Sequence, residues 1–292
     1  QALRRELGTA LTRTEVAAEQ AVKDAILKAY GIGERAAATE LGGIAAMTAT
    51  NTNTVSVLVK ATQNLLKSTH LGVLRTTEDT YRQVIAKTAV NMAAGVTTRR
   101  EATQIALNQF ADKGITGFVD AAGRAWNLAS YAEMAMRTGV GHAQLDGHLE
   151  SLTANGVNLV IVSNSPGECH ICRDWEGKVL TIGLGDGEHR SIEDARQDGL
   201  FHPGCRHTTG AYFPGITAPM GPTADPQGDI DRQALRGMER QVRAAKLREA
   251  VALDSKAATV ARARVRDAQA AIRQHVGKTG LIRQVHREQI SR

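Results

Sequence analysis

Cysteine is scarce in this sequence: three in 292 residues. An odd number cannot pair fully, which argues against the disulfide framework of a secreted domain and fits synthesis in a reducing cytoplasm. Aromatic residues make up only 3%. Few stacking platforms are therefore on offer, and a single-strand nucleic-acid binder built on base–aromatic stacking is not expected. No apolar run approaches the roughly 18 residues that a membrane span needs, and the opening QALRRELGTA lacks the apolar core of a signal peptide. A soluble chain with no membrane contact is expected. The HExxH, GxSxG and P-loop patterns are missing, which removes the commonest sequence grounds for reading an enzyme.

Positive charge is plentiful, and it is unevenly placed. The net charge is +6. Residues 231–292 hold 15 Lys and Arg against 6 Asp and Glu, and the rest of the chain is slightly acidic. Such a tail commonly meets an anionic partner, either nucleic acid or an acidic protein face. Within it, Leu235, Met238, Val242 and Ala245 recur at helical spacing beside Arg232, Arg236, Arg240 and Arg243. Val265, Ala268, Ile272 and Val276 repeat the pattern, with Arg262, Arg266 and Arg273 nearby. Two thin amphipathic helices after a flexible linker need a surface to bury their stripes, so a partner or oligomer contact is expected.

The first half reads as helix. Leu3, Leu7, Ala10 and Leu11 begin one helix, which YGIGE at 30–34 is expected to break. VSVLVKATQNLL continues in helical spacing, and Tyr81, Val84, Ile85, Thr88 and Met92 form one apolar stripe. Gly95 is expected to end that helix. Thr98 with Glu101, and Ser130 with Glu133, have the spacing of a capping box, and Glu133 can pair with Arg137 one turn on. Trp126 and Trp175 read as core anchors.

The pattern changes at GVNLVIVSNS, where Leu159 to Val162 read as a buried strand entering a turn, and GKVLTIG reads as a second. One helical turn is expected at Ile192 to Arg196. The expected fold class is α+β and predominantly α-helical, in four blocks. They are a helical body at 1–157, a small Cys/His-clamped module at 158–214 holding the only strands, a Pro/Gly-rich linker at 215–230, and a basic helical arm at 231–292.

All three cysteines fall in that small module. Cys169 and Cys172 form a Cys-x2-Cys turn directly after a strand, and Cys205 lies between His202 and His207, with His170 also close in sequence. Zinc takes four such ligands in a tetrahedron, and a Cys-x2-Cys turn supplies two from one loop. Structural zinc on Cys169, Cys172, Cys205 and His202, with His207 as substitute, is the favoured reading. Ordinary buried thiols and a redox pair are the alternatives, the last requiring a helix N-terminus that Trp175-Glu-Gly disfavours. A catalytic zinc would need a nearby base, for which Glu168 and Glu176 are the candidates.

Four stretches, GFVDAAGRAWNLASYAEMAMRT, LVIVSNSPGECHICRDWEGKVLTI, FHPGCRHTTGAYFPG and LRGMERQVRAAK, resemble in that order the phage minor capsid protein 2 family, related to the Mu F-like head morphogenesis proteins. The resemblance implies a non-catalytic component of a tailed-phage virion. It would be made in the host cytoplasm, placed inside the head at or near the portal vertex, and act in assembly, DNA packaging or delivery. Its expected partners are the portal protein, the major capsid protein or both, with several copies per assembly. Packaged DNA is a further partner that the basic arm can reach through phosphates. A zinc-dependent hydrolase acting in the head is the alternative reading.

Overall fold

The protein is seen in a computed structural model that describes residues 2–43, 50–93, 98–113, 117–119, 125–218, 221 and 224–290. It forms two compact units, Gln1–His70 with Ala129–Pro226, and Leu71–Leu128 with Gln227–Arg292. No helix among the described residues is long and apolar enough to cross a membrane.

In the first unit, helix α1 (Ala2–Glu40) and the start of α2 (Thr52–Ala93) pack with α4 (Leu128–Ala154). Val22, Ile26, Ala29 and Tyr30 of α1 close one core with Val55 of α2 and Ala143 of α4. The expected break at YGIGE does not occur; α1 runs straight through it. Gly31 and Gly33 are helical, and Gly33 lies where α1 crosses α4. A Cβ on Gly33 would sit 1.9 Å from the Gln144 carbonyl oxygen, and one on Gly147 would sit 2.3 Å from that of Tyr30. These glycines let two backbones touch, and the same residue type that reads as a breaker serves as a packing surface.

Gly156, with φ 80°, turns the chain out of α4, and the Val157 N–H bonds back to the Leu152 carbonyl at 3.0 Å. The chain then enters β3 (Leu159–Val162), the centre of a three-stranded antiparallel sheet ordered β4–β3–β5, with β4 at Val179–Thr181 and β5 at Thr209–Ala211. Val160 pairs with Leu180 on one side and Ala211 on the other. Val160, Ile161 and Val162 are all buried, as a central strand requires. Leu145, Leu149 and Leu152 of α4 cover this sheet in one core with Trp175, Leu180, Ile192, Leu200 and Phe201. Helix α5 (Ile192–Gln197) starts with a capping box formed by Ser191 and Asp194. At the end of α1, the Glu40 carboxylate accepts the Ala211 N–H at 2.7 Å and meets His148 Nε2 at 3.1 Å, tying α1 to α4 and β5.

In the second unit, the apolar stripes of α6 (Pro226–Ala250) and α7 (Ser255–Thr279) bury against each other through Leu235, Met238, Val242, Ala268, Ile272 and Val276. The surface they were expected to need is supplied within the chain. Asp254 caps α7 by accepting the Ala257 N–H at 2.8 Å, and Gly280, with φ 69°, ends it. Helix α3 (Arg99–Lys113), capped by Thr98 and Glu101 as expected, lies along the α6–α7 turn. Gln104 holds the Leu253 N–H at 2.8 Å, and Arg248 pairs with Asp112.

Two further readings are corrected. A short hairpin of β1 (Gly117–Val119) and β2 (Ala125–Asn127) makes 158–214 not the only β-containing part; three-residue strands are too short to show periodicity. Ser130 lies inside α4, which begins at Leu128, so it is not a cap, although Glu133 and Arg137 do pair at 2.6 Å. The side chains of Tyr81, Ile85, Thr88, Met92, Trp126 and Ser130, together with Gly95, fall outside the described residues.

Candidate metal centre

Two loops of the small sheet bring the sulfurs together. After β3, the Cys172 and Arg173 N–H groups bond to the Cys169 carbonyl at 3.2 and 3.1 Å, folding Cys-x2-Cys into a tight turn. A single 3-10 turn, Arg173–Trp175, follows and stops at Gly177, with φ 71°. A thioredoxin-like pair needs the N-terminus of a true helix, and this turn does not supply one. Trp175 is buried in the core and Arg190 lies 4.9 Å over its ring, so the anchor reading holds.

The second loop carries strain. Phe201 is the one non-glycine residue with positive φ among the described residues, at 60°, a conformation that costs about 1–3 kcal/mol. Burial of its ring and the 2.8 Å contact between its carbonyl and His142 Nε2 of α4 hold it there. Thr138 of α4 accepts the Gly204 N–H at 3.2 Å, and the Cys205 N–H closes onto the His202 carbonyl at 2.9 Å. Helix α4 thus sets the position of His202 and Cys205.

The result is a cluster of five donors. Cys169 Sγ lies 2.9 Å from His202 Nε2, Cys172 Sγ 3.6 Å from Cys205 Sγ, and Cys205 Sγ 3.4 Å from His207 Nδ1. They form two metal-competent triads sharing Cys172: Cys169, Cys172 and His202, and Cys172, Cys205 and His207. His170 is exposed and belongs to neither. The three cysteines are free thiols. Cys205 is held well below the ordinary thiol range, first by the Cys172 thiol donating to it and then by His207. Cys172 is pushed up by that same contact and by burial. Burial raises the Cys169 thiol, but the Cys172 N–H and the His202 ring outweigh it and leave it lowered. Three sulfurs and two imidazoles in one half-buried spot are the donor set zinc prefers, so the residues present fit the ion.

Sequence reasoning missed the carboxylates' roles. Glu168, 2% exposed, takes the Arg173 Nε at 2.6 Å and the Asp225 N–H at 2.9 Å, pinning the segment before α6 to the module. Glu176 accepts the Ser165 N–H at 2.8 Å and bonds His207 Nε2 at 2.7 Å. The two groups proposed as catalytic bases are internal ties.

The arginines divide. Arg232 pairs with Asp229, Arg236 with Glu239, and Arg243 donates to the Arg287 carbonyl. Arg262 pairs with Glu249 at 2.9 Å while staying largely exposed. Arg240, Arg266 and Arg273 are exposed.

No curated protein and no solved structure matches the chain. The sequence profile described as phage minor capsid protein 2 matches residues 3–277, nearly the whole length. With its helical body, its small strand module and its cysteine–histidine cluster, the chain belongs to the phage minor capsid protein 2 family, whose members are structural and non-catalytic components of the phage head.

Proposed function

We propose that the chain works inside the phage head at or near the portal vertex, as a multi-copy adaptor that touches the portal protein, the major capsid protein or both. Its part is in head assembly, DNA packaging or delivery. A structural zinc ion cross-links the module through Cys169, Cys172, Cys205 and one of the two histidines, His202 or His207. The observation that carries the reading is the five-donor cluster, set by buried backbone contacts, with both nearby carboxylates engaged as ties. Zinc there joins two loops too short to hold a core of their own, which suits a part that must keep its shape in an assembly. The exposed Arg240, Arg266 and Arg273 support a second contact, with phosphates of packaged DNA and blind to sequence.

Cross-linking of intact particles, with the linked peptides identified by mass spectrometry, tests the placement. Links from 158–214 or 231–292 to the portal protein are expected. Links only to the major shell protein would move the chain into the shell, and absence from particles would overturn the reading.

A further inference from the structure

The five donors lie in two triads that share Cys172, and a tetrahedral zinc takes four ligands, so one histidine is left over. We infer that His207 binds the ion through Nδ1, that Glu176 is the positioning residue that aims it, and that His202 stays outside the coordination sphere. This rests on the zinc reading above and assigns its fourth ligand.

Interatomic spacing separates the two histidines. Sulfurs at about 2.3 Å from a tetrahedral zinc stand about 3.8 Å apart, and a sulfur and a nitrogen about 3.5 Å apart. Cys172 and Cys205, at 3.6 Å, and Cys205 and His207 Nδ1, at 3.4 Å, already have those spacings. Cys169 and His202 Nε2, at 2.9 Å, are closer than two ligands of one zinc sit.

The hydrogen bonds behind the two rings differ as well. A carboxylate only accepts, so the 2.7 Å contact of His207 with Glu176 keeps a ring proton on Nε2, and Nδ1 faces Cys205 as the nitrogen that binds an ion once any proton on it is displaced. The two side chains are 3% and 4% exposed, and Glu176 is itself fixed by the Ser165 N–H. A buried carboxylate behind a histidine is the arrangement that orients a metal-binding imidazole and raises its basicity. His202 has a weaker hold: its Nδ1 meets only the carbonyl of the next residue, Pro203, at an exposed edge.

The test uses the full chain with cobalt in place of zinc, reading the thiolate-to-cobalt absorption band and the metal affinity by chelator competition. His207→Cys should strengthen the band, because a fourth thiolate replaces a nitrogen, while His202→Cys should leave it unchanged. Glu176→Gln should weaken binding by about 10- to 100-fold in the otherwise native chain. It should have little effect on binding beside His207→Cys, since a positioning residue acts only through the ring it orients. The opposite pattern, with His202→Cys strengthening the band, would overturn the assignment and leave the zinc site standing. A chain that takes up neither zinc nor cobalt would remove both. Should His207→Cys fail to fold, His202→Ala decides: retained affinity supports the assignment and lost affinity overturns it.

Discussion

The contact between α1 and α4 makes a demanding prediction because its sign can be worked out from atoms. Replacing Gly33 by alanine puts a methyl carbon 1.9 Å from the Gln144 carbonyl oxygen, 2.7 Å from the His148 nitrogen and 2.9 Å from the Gln144 carbonyl carbon. All three are backbone atoms of one helical turn of α4, so no side chain can swing aside. The helices must part by about an ångström, which loosens a close-packed interior. Overpacking of this kind costs about 1–3 kcal/mol or more, against a gain of about 0.5–1 kcal/mol from replacing glycine inside a helix. With backbone atoms this close the upper end of that cost applies, and the net loss is about 2 kcal/mol.

Gly141 of α4 is the control, because a Cβ there meets nothing within 4 Å. Gly141→Ala keeps the propensity gain of about 0.5–1 kcal/mol and costs nothing in packing. At roughly 2–4 °C per kcal/mol for a unit of this size, thermal unfolding should show Gly33→Ala lower by about 4–8 °C and Gly141→Ala higher by about 1–4 °C. Gly147→Ala, which meets the Tyr30 carbonyl oxygen at 2.3 Å, should fall with Gly33→Ala. The pair combined should cost less than the sum, since both open the same crossing. If Gly33→Ala melts at or above the native protein, the two helices do not touch as described.

Other parts of the chain offer shorter tests. Purified protein should hold stoichiometric zinc, and a chelator should lower its unfolding midpoint; Cys205→Ser should lower it likewise and abolish the chelator response, read by metal analysis and calorimetry. Asp254→Ala removes the α7 cap and the ion pair with Arg100 and should lower the midpoint of denaturant unfolding. Burial raises the Glu40 carboxyl, but His148 and the Ala211 N–H outweigh it and hold it below its ordinary 4.5. Its stabilisation is therefore present above that value and lost as pH falls through the lowered one, so Glu40→Gln should be less stable than the native chain near neutrality and converge with it in acid. Replacing Arg240, Arg266 and Arg273 together by alanine should weaken duplex DNA binding alike for all sequences. It should also flatten the salt dependence by about 0.9 for each phosphate no longer neutralised, measured by titration at several salt concentrations.

Which parts of the molecule were legible in the sequence follows from the range of the forces involved. The stripes of α6 and α7 and the apolar run of β3 are local patterns, and each element stands where its periodicity puts it. The cysteine–histidine cluster was legible too, because its donors come from two short segments whose residue types are rare elsewhere in the chain. The role of YGIGE was not, because whether a helical glycine breaks or packs depends on what crosses it, and Gln144 lies far along the chain. The mutual burial of the two basic helices, the left-handed Phe201 and the hold of Glu176 on His207 are likewise set by tertiary partners. A Ser191 to Asp194 box, by contrast, could have been read from spacing alone.

The buried carboxylates tell a structural part from a catalytic one. A general base must reach a water and change its protonation during turnover. Glu168 cannot do so without releasing Arg173 and the Asp225 N–H; burial raises its carboxyl, yet these contacts leave it lowered and hence ionised. Glu176 cannot leave His207 without loosening the ring behind Cys205. Removing either acid should therefore show first as lower stability or weaker metal binding. Glu168→Gln keeps the shape but weakens the charged tie to Arg173, and it should lower the unfolding midpoint without changing zinc stoichiometry. Measuring the midpoint and the bound zinc on the same sample separates the two ties: a Glu168→Gln chain that unfolds like the native protein would show that this carboxylate is not holding the module in place.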